Sequence, residues 1–280
     1  MATVVVIGDV GGHAEQLRRA LLEVGAHEAG LALPDDVIVV QVGDLVDRGP
    51  DSTGVLALVD GYLQNRPDRW IQLVGNHDAQ YLPDGVPFWP EPVSPDDASM
   101  LTSWWEQGRM DVAAAVRTAD GDDLLITHAG LTVGCWRELG EPMTAASAAR
   151  LLNGRPDLIR RGGSLAVDRM AGPLWAETGW ELVEPWMDHH HAGGFVPFGQ
   201  VHGHSALVRY EDRTWRSPGR VRQRATVDWE ARHVRVRVGG RVFTGIDPKH
   251  GRYGAPTWRP LVLPGAELLT PVGATARPTD

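Results

Sequence analysis

Five short apolar runs along the chain each stop at a polar cluster. Val4 to Ile7 ends in Gly8-Asp9-Val10-Gly11-Gly12-His13. Val37 to Val42 ends in Gly43-Asp44-Leu45-Val46-Asp47-Arg48-Gly49. Trp70 to Val74 runs into Gly75-Asn76-His77-Asp78, and Leu124 to Ile126 into Thr127-His128-Ala129-Gly130. Phe195 to Val201 ends in His202-Gly203-His204-Ser205; its Pro197 reads as an irregular or edge strand. Such runs fit strands buried on both faces. Leu17, Ala20, Leu21 and Val24 recur at i, i+3, i+4 and i+7, one apolar helix face, with Gly25 as its stop. Val55, Leu58, Val59 and Tyr62 mark a second such face. Repeated strand–turn–helix units predict an α/β layer architecture. Parallel neighbours would bring the polar clusters to one sheet edge, where open α/β sheets place their ligands.

The rest of the chain is less regular. Residues 81–95 are proline-rich and read as a loop. Ser94 and Pro95 start a helix whose face is Met100, Leu101, Trp104 and Trp105. Val112 to Val116 reads as a further helical turn. Thr144 caps a helix to Leu152, and residues 153–194 read as irregular structure near the site. His233 to Val238, Gly239-Gly240 and Arg241 to Asp247 predict a C-terminal β-hairpin. The expected organisation is one domain over residues 1–265 and a frayed tail over 266–280.

Composition narrows the function classes. With 280 residues and 42% hydrophobic content, a large core can form. The single cysteine, Cys135, excludes an internal disulfide and is expected to pack rather than react. A reducing, cytoplasmic compartment is the expectation. No apolar run is long enough to cross a bilayer, and the start of the chain lacks a signal-peptide pattern. The net charge of -9 argues against nucleic acid as a partner. Ten arginines between residues 209 and 241 form an exception, read as a solvated face. His189-His190-His191 reads as a solvated loop.

The polar groups at the run ends are Asp9, Asp44, Asn76, His128, His202 and His204. Carboxylate, amide oxygen and imidazole together suit manganese, iron, zinc or nickel. Asp44, with two oxygens, is the natural bridge between two divalent ions, and a water between such ions becomes a nucleophile at neutral pH. Arg48 offers a planar fork for phosphate oxygens. His77, oriented by Asp47, can protonate a leaving alkoxide.

These motifs resemble the signature of the calcineurin-like metallophosphoesterases. Gly8-Asp9, Gly43-Asp44 through Gly49, Gly75-Asn76-His77-Asp78, His128-Ala-Gly and Gly203-His204-Ser205 carry the resemblance, in order, from residue 8 to 205. The form Gly-Asp-x-Val-Asp-Arg-Gly is most similar to the phosphoprotein phosphatase branch, which includes bacterial Ser/Thr phosphatases and diadenosine tetraphosphatases. Gly172-Pro-Leu-Trp175 looks like that branch's Leu-Trp segment. The resemblance implies a four-layer α/β/β/α sandwich with a dinuclear metal centre between the sheets. It implies Asp9 on the first metal, Asp44 as bridge, Asn76 and His128 on the second metal, and Arg48 and Asn76 on phosphate. His77 with Asp47 resembles the general-acid pair.

Two departures stand out. Where the family carries a first-metal histidine, this chain has Gly11; His13, two residues on, is either a surface residue at a helix start or a ligand that bends back. In His202-Gly203-His204, either His204 takes the second metal, or His202 takes it and His204 the first. A second phosphate arginine has only Arg160, Arg161 and Arg169 as candidates. The expected activity is metal-dependent hydrolysis of a phosphoric ester by a metal-bridging hydroxide. The substrate would be a phosphoprotein, a small metabolite phosphate or a nucleoside polyphosphate. The alternative is a non-catalytic phosphate-binding module with an incomplete metal site.

Overall fold

A computed structural model describes residues 2–162, 168, 170–250 and 257–270. The first half is built from β1 (Ala2–Ile7), α1 (Ala14–Glu23), β2 (Val37–Gln41), α2 (Ser52–Asn65), β3 (Trp70–Leu73) and the short α3 (Asn76–Ala79). α4 (Pro95–Glu106) and β4 (Met110–Asp111) follow. Strands β1, β2, β3 and β4 pair in parallel in that order. Next come β5 (Ala113–Arg117), β6 (Asp123–Thr127), α5 (Val133–Glu138), α6 (Ala145–Asn153) and α7 (Glu184–His191). β7 (Gly199–His202) leads to the small pair β8 (Val208–Arg209) and β9 (Thr214–Trp215), then α8 (Gly219–Arg222). β10 (Ala225–Asp228), β11 (His233–Val238), β12 (Arg241–Gly245) and β13 (Leu261–Leu268) complete the chain.

β13 joins two sheets. Its first part pairs with β1 and its end, Glu267–Leu268, with β5, so the strand order is β10-β11-β12-β7-β6-β5-β13-β1-β2-β3-β4. The two halves face each other. Val4, Val6, Val40, Val42, Ile71 and Leu73 of one meet Ala114, Val116, Ile126 and Val201 of the other in a core of their own. Alternate residues Val5, Ile7 and Val39 point the opposite way, into the core that contains Leu17, Leu21, Val55 and Val59. Helix α6 lies on β5 and β6. Layers of helix, sheet, sheet and helix follow directly from this period-two alternation in strands with no solvent face.

Four expectations are corrected. Val112–Val116 is not helical: β5 covers most of it, paired to β6 from Ala113↔Thr127 onward. Both faces of β5 are buried, so the run shows no period that separates strand from helix. Phe195–Val201 does not end on an edge strand, because β7 lies between β6 and β12. Pro197 precedes the first paired residue, Gly199, so no ladder N–H is lost. The segment 153–194 contains helix α7, and His189–His191 form its last turn rather than a loop. His189 packs edge-on against Trp136 and Trp186. Finally, Ala266–Leu268 belong to β13 instead of a frayed tail; residues 271–280 lie outside the described residues. The predicted hairpin is present as β11–β12, but as part of the second sheet, joined to β7 in parallel.

Candidate metal centre

The carboxyl ends of β1, β2, β3, β6 and β7 meet at one place between the sheets. Asp9 follows β1, Asp44 follows β2, Asn76 follows β3, His128 follows β6 and His204 follows β7. The turns are locked to one another by main-chain bonds: Val10 and Gly11 N–H groups donate to the Asp44 carbonyl at 3.0 and 2.7 Å. Asp78 accepts from the amides of Asp44 at 2.8 Å, Leu45 at 2.9 Å and Gly75 at 2.9 Å, and so ties the β2 turn to the β3 turn. Asp44, Asp47, Arg48 and His204 adopt left-handed backbone, with φ of +55°, +69°, +57° and +63°. Non-glycine residues held there by surrounding structure cluster at functional sites.

The side chains converge on an oxygen-and-nitrogen pocket. Asn76 Oδ1 lies 3.0 Å from His128 Nε2 and 2.9 Å from His204 Nδ1. His128 Nε2 is also 3.4 Å from Asp44 Oδ1. The His204 amide donates to both oxygens of Asp9, at 3.0 and 3.2 Å. One ligand atom each from Asp9, Asp44 and His128 fall within 4.8 Å of one another, the spacing a bound ion needs. Asp44 Oδ2 is buried without a hydrogen-bond partner. A buried carboxylate oxygen with no partner is costly, and a cation at that point removes the cost. The donor set and the orphaned oxygen both fit divalent metal.

Charges within the pocket act on one another. Burial alone would raise the Asp44 carboxyl, but His128, His77, Arg48 and His204 around it hold it below the usual carboxylate range. Asp9 is pushed well up, first by burial and then by the carboxylates of Asp247 and Asp44. Burial holds His128 and His204 below the usual imidazole range, keeping them neutral and able to ligate.

Beside this cluster, Asp47 Oδ2 lies 2.7 Å from His77 Nδ1, and Arg48 Nη2 lies 2.9 Å from His77 Nε2. Gln80 Nε2 also donates to Asp47 Oδ2 at 2.7 Å, while its Oε1 accepts from the amides of Phe88 and Trp89. Both aromatic rings stand edge-on to His77, with centroids 4.9 Å away. A wide cleft of about 1300 Å³ opens at Asn76 and is walled by Phe88, Trp105, Arg160 and Trp175.

Other candidates fall elsewhere. His202 sits inside β7 and lines a small space with Tyr210, Val234 and Phe243, and its Nδ1 donates to the Gly203 carbonyl. It does not join the cluster. His13 is 5% exposed and stacks on His250 with centroids 4.3 Å apart, so it is neither a surface residue nor within the Asp9–Asp44–His128 set. No side chain projects from Gly11; the Arg48 stem packs over it, 3.4 Å from where a Cβ would be. Arg160 is held by the Pro83 carbonyl and Asp84, and Arg161 by Glu138; Arg169 lies outside the described residues. Cys135 is buried, its thiol pushed up to about 12 by burial. Sequence reading missed Gln80, Asp247 and Lys249, and gave Asp78 no role. Asp247 follows the end of β12 and was visible to the rule that found the others. Gln80 and Asp78 act on backbone and on other side chains, which spacing does not reveal.

Comparison with known proteins agrees with this architecture. A 78-residue stretch, 28% of this chain, is 38% identical to the serine/threonine-protein phosphatase 1 of Salmonella typhimurium and spans 30% of that protein. Among solved structures, the cold-active protein-tyrosine phosphatase of a psychrophilic Shewanella superposes with a TM-score of 0.53. The overlap covers 96% of this chain and 80% of that one at 16% identity, which speaks to fold alone. A further structure of a cold-active protein tyrosine phosphatase gives 0.52 at 17% identity, over 92% of this chain and 72% of the other. The family model for calcineurin-like phosphoesterases matches residues 2–222, and the chain belongs to that family.

Proposed function

We propose that this protein is a metal-dependent phosphoric ester hydrolase with two divalent ions, manganese foremost. The observation that carries the reading is Asp44, with one oxygen beside His128 and the other buried and unpartnered. A bridging carboxylate needs both oxygens available to cations. Asp9 and Asp44 would hold the first ion; Asp44, Asn76, His128 and His204 would hold the second. Bound there, the metals would acidify a water and draw charge from the phosphoryl oxygens.

The chain's own residues supply the rest. Asn76 turns its amide oxygen to the histidines, leaving its N–H₂ to face a phosphoryl oxygen. Arg48 reaches the same space and offers a second donor fork. Once Arg48 has turned to the phosphate, His77 can take up a proton from solvent on the vacated Nε2 and pass it to the leaving oxygen; Asp47 fixes the ring by accepting from Nδ1 and stabilises the imidazolium. Phe88 and Trp89 pack edge-on against the His77 ring, and Gln80 ties their amides to Asp47. The open, aromatic-walled cleft suits a substrate with a bulky leaving group, a phosphorylated protein segment or a nucleoside polyphosphate, better than a small metabolite. A cytoplasmic setting accords with the single buried cysteine.

Turnover of p-nitrophenyl phosphate with added Mn²⁺, against the same protein in EDTA, tests the reading. Activity that requires metal and is lost in Asp44→Asn supports it. Gly11 favours a second reading, a phosphate-binding module without catalysis. Absence of turnover with Mn²⁺, Fe²⁺, Zn²⁺ or Ni²⁺, alongside measurable phosphate binding, would select that reading.

A further inference from the structure

Lysine occurs once among the 27 lysines and arginines of this chain, at position 249. That residue stands beside the metal centre. Lys249 Nζ donates to the carbonyl of His204 at 3.1 Å and pairs with Asp247 Oδ2 at 3.1 Å. Its backbone N–H donates to Asp247 Oδ1 at 2.7 Å, and its φ of +55° bends the chain back over that carboxylate. Asp247 is 3% exposed, while the Lys249 side chain keeps 26% exposure, so the pair has a buried end and an open end. An ammonium has three N–H donors. Two are engaged, and the third has no partner among the described residues.

The surroundings call for a cation on this side. Asp247 is buried, and the Lys249 ammonium is its ion-pair partner. Arg48 and Lys249 are the cations that act on Asp247. Arg48 is engaged with His77, and Gly11 contributes no side chain. A phosphoryl group presents three non-bridging oxygens, and one guanidinium fork covers two. A lysine differs from an arginine in supplying a compact point charge with rotatable donors. That form suits an oxygen reached past the His204 carbonyl.

We propose that Lys249 is a second cationic phosphate-holding group beside Arg48, placing its free N–H on a phosphoryl oxygen at the His204 side of the centre while Asp247 aims the ammonium. The inference rests on the reading of this site as one that receives phosphate esters. It requires no change in metal number, because Lys249 contacts the anion and not the ions.

Titration calorimetry of inorganic phosphate into Mn²⁺-loaded protein tests it, with bound manganese measured on each sample. Lys249→Met is expected to weaken phosphate binding by about tenfold, the scale of one charge-assisted hydrogen bond, with manganese content unchanged. Lys249→Arg recovers part of the affinity. Acetylation of Lys249 by acetic anhydride, followed by mass spectrometry, gives a second readout that needs no variant: bound phosphate slows modification at this one lysine. Unchanged phosphate affinity in Lys249→Met, loss of manganese along with the affinity, or no protection by phosphate each overturns the proposal. Turnover of p-nitrophenyl phosphate is followed in parallel. Phosphate binding through Lys249 without turnover removes the hydrolase reading and leaves this one. Turnover indifferent to Lys249 removes this one alone.

Discussion

Arg48 Nη2 stands 2.9 Å from His77 Nε2, and the direction of that bond fixes the histidine's tautomer. A guanidinium only donates, so Nε2 accepts and the ring proton sits on Nδ1, where it is donated to Asp47. The resting site therefore leaves Nε2 of His77 without a proton, and the ring must gain one there before it can serve a leaving group. Imidazole ¹⁵N chemical shifts check this: Nδ1 of His77 should appear protonated and Nε2 unprotonated in the metal-free protein. In Arg48→Ala the Nε2 signal should move toward a solvent-exposed position. The same variant should lower kcat/KM by about 100-fold or more, the scale of losing one charge-stabilising donor.

His77→Ala should lower kcat by roughly 100- to 10,000-fold, as expected for removal of a general acid. The loss should depend on the leaving group. An aryl phosphate such as p-nitrophenyl phosphate departs without much protonation and should suffer least; an alkyl phosphate should suffer most. Steady-state kinetics with the two substrates decides it. Equal losses for both would place His77 outside the proton path.

Asp44 links metal to stability. A ligand that binds only the folded state stabilises it by about 2.7 kcal/mol at 100 times its dissociation constant. Saturating Mn²⁺ should therefore raise the wild-type Tm by several degrees. Asp44→Asn, with one carboxylate oxygen replaced by an amide, should lose most of that rise and bind less manganese by elemental analysis. A metal-dependent rise that survives intact in the variant would remove Asp44 from the ligand set.

Gly203 makes a steric prediction. A Cβ at this position would overlap Asp9 Oδ1, the acceptor of the His204 amide. Gly203→Ala should displace Asp9 and weaken manganese binding, at a cost of about 1–3 kcal/mol in stability, the usual range for an overfilled buried site. Urea unfolding and calorimetric metal titration read the two effects. Normal manganese affinity would show that Asp9 tolerates the shift.

His202 sets a pH dependence away from the metal cluster. Burial lowers its pKa from 6.5 to about 4. The unfolded chain takes up a proton near pH 6.5 while the folded protein does not, so stability is full above that pH and falls as pH drops toward 4. One such group contributes a loss of roughly 3 kcal/mol across that window, at about 1.4 kcal/mol per pH unit. Buried His13, His233 and His250 shift in the same direction and steepen the fall. Urea midpoints between pH 4 and 7 should show it, and His202→Gln should flatten the slope by about one proton. An unchanged slope would mean that His202 titrates in the folded protein.

The sequence by itself determined the strand ends and the residue types placed there. Asp9, Asp44, Asn76 and His128 were legible because apolar runs that stop at a polar cluster mark where a buried strand meets its ligand edge. Helices α1, α2, α4 and the β11–β12 hairpin were legible for a related reason: each has one solvent face, so its period shows. Strand β5 was not, because both of its faces are covered and its alanines carry no period. Tertiary structure alone decided which end of His202-Gly203-His204 enters the pocket. Successive strand residues face opposite sides, and the sheet to which β7 belongs turned His202 toward β11 and β12 while the backbone bend at His204 brought that ring onto Asn76. It also decided that β13, read as the start of a loose tail, joins the two sheets. And it placed Lys249 on the His204 carbonyl, 45 positions away along the chain, a proximity created by the folding of β12 against β7 and carried by no local pattern.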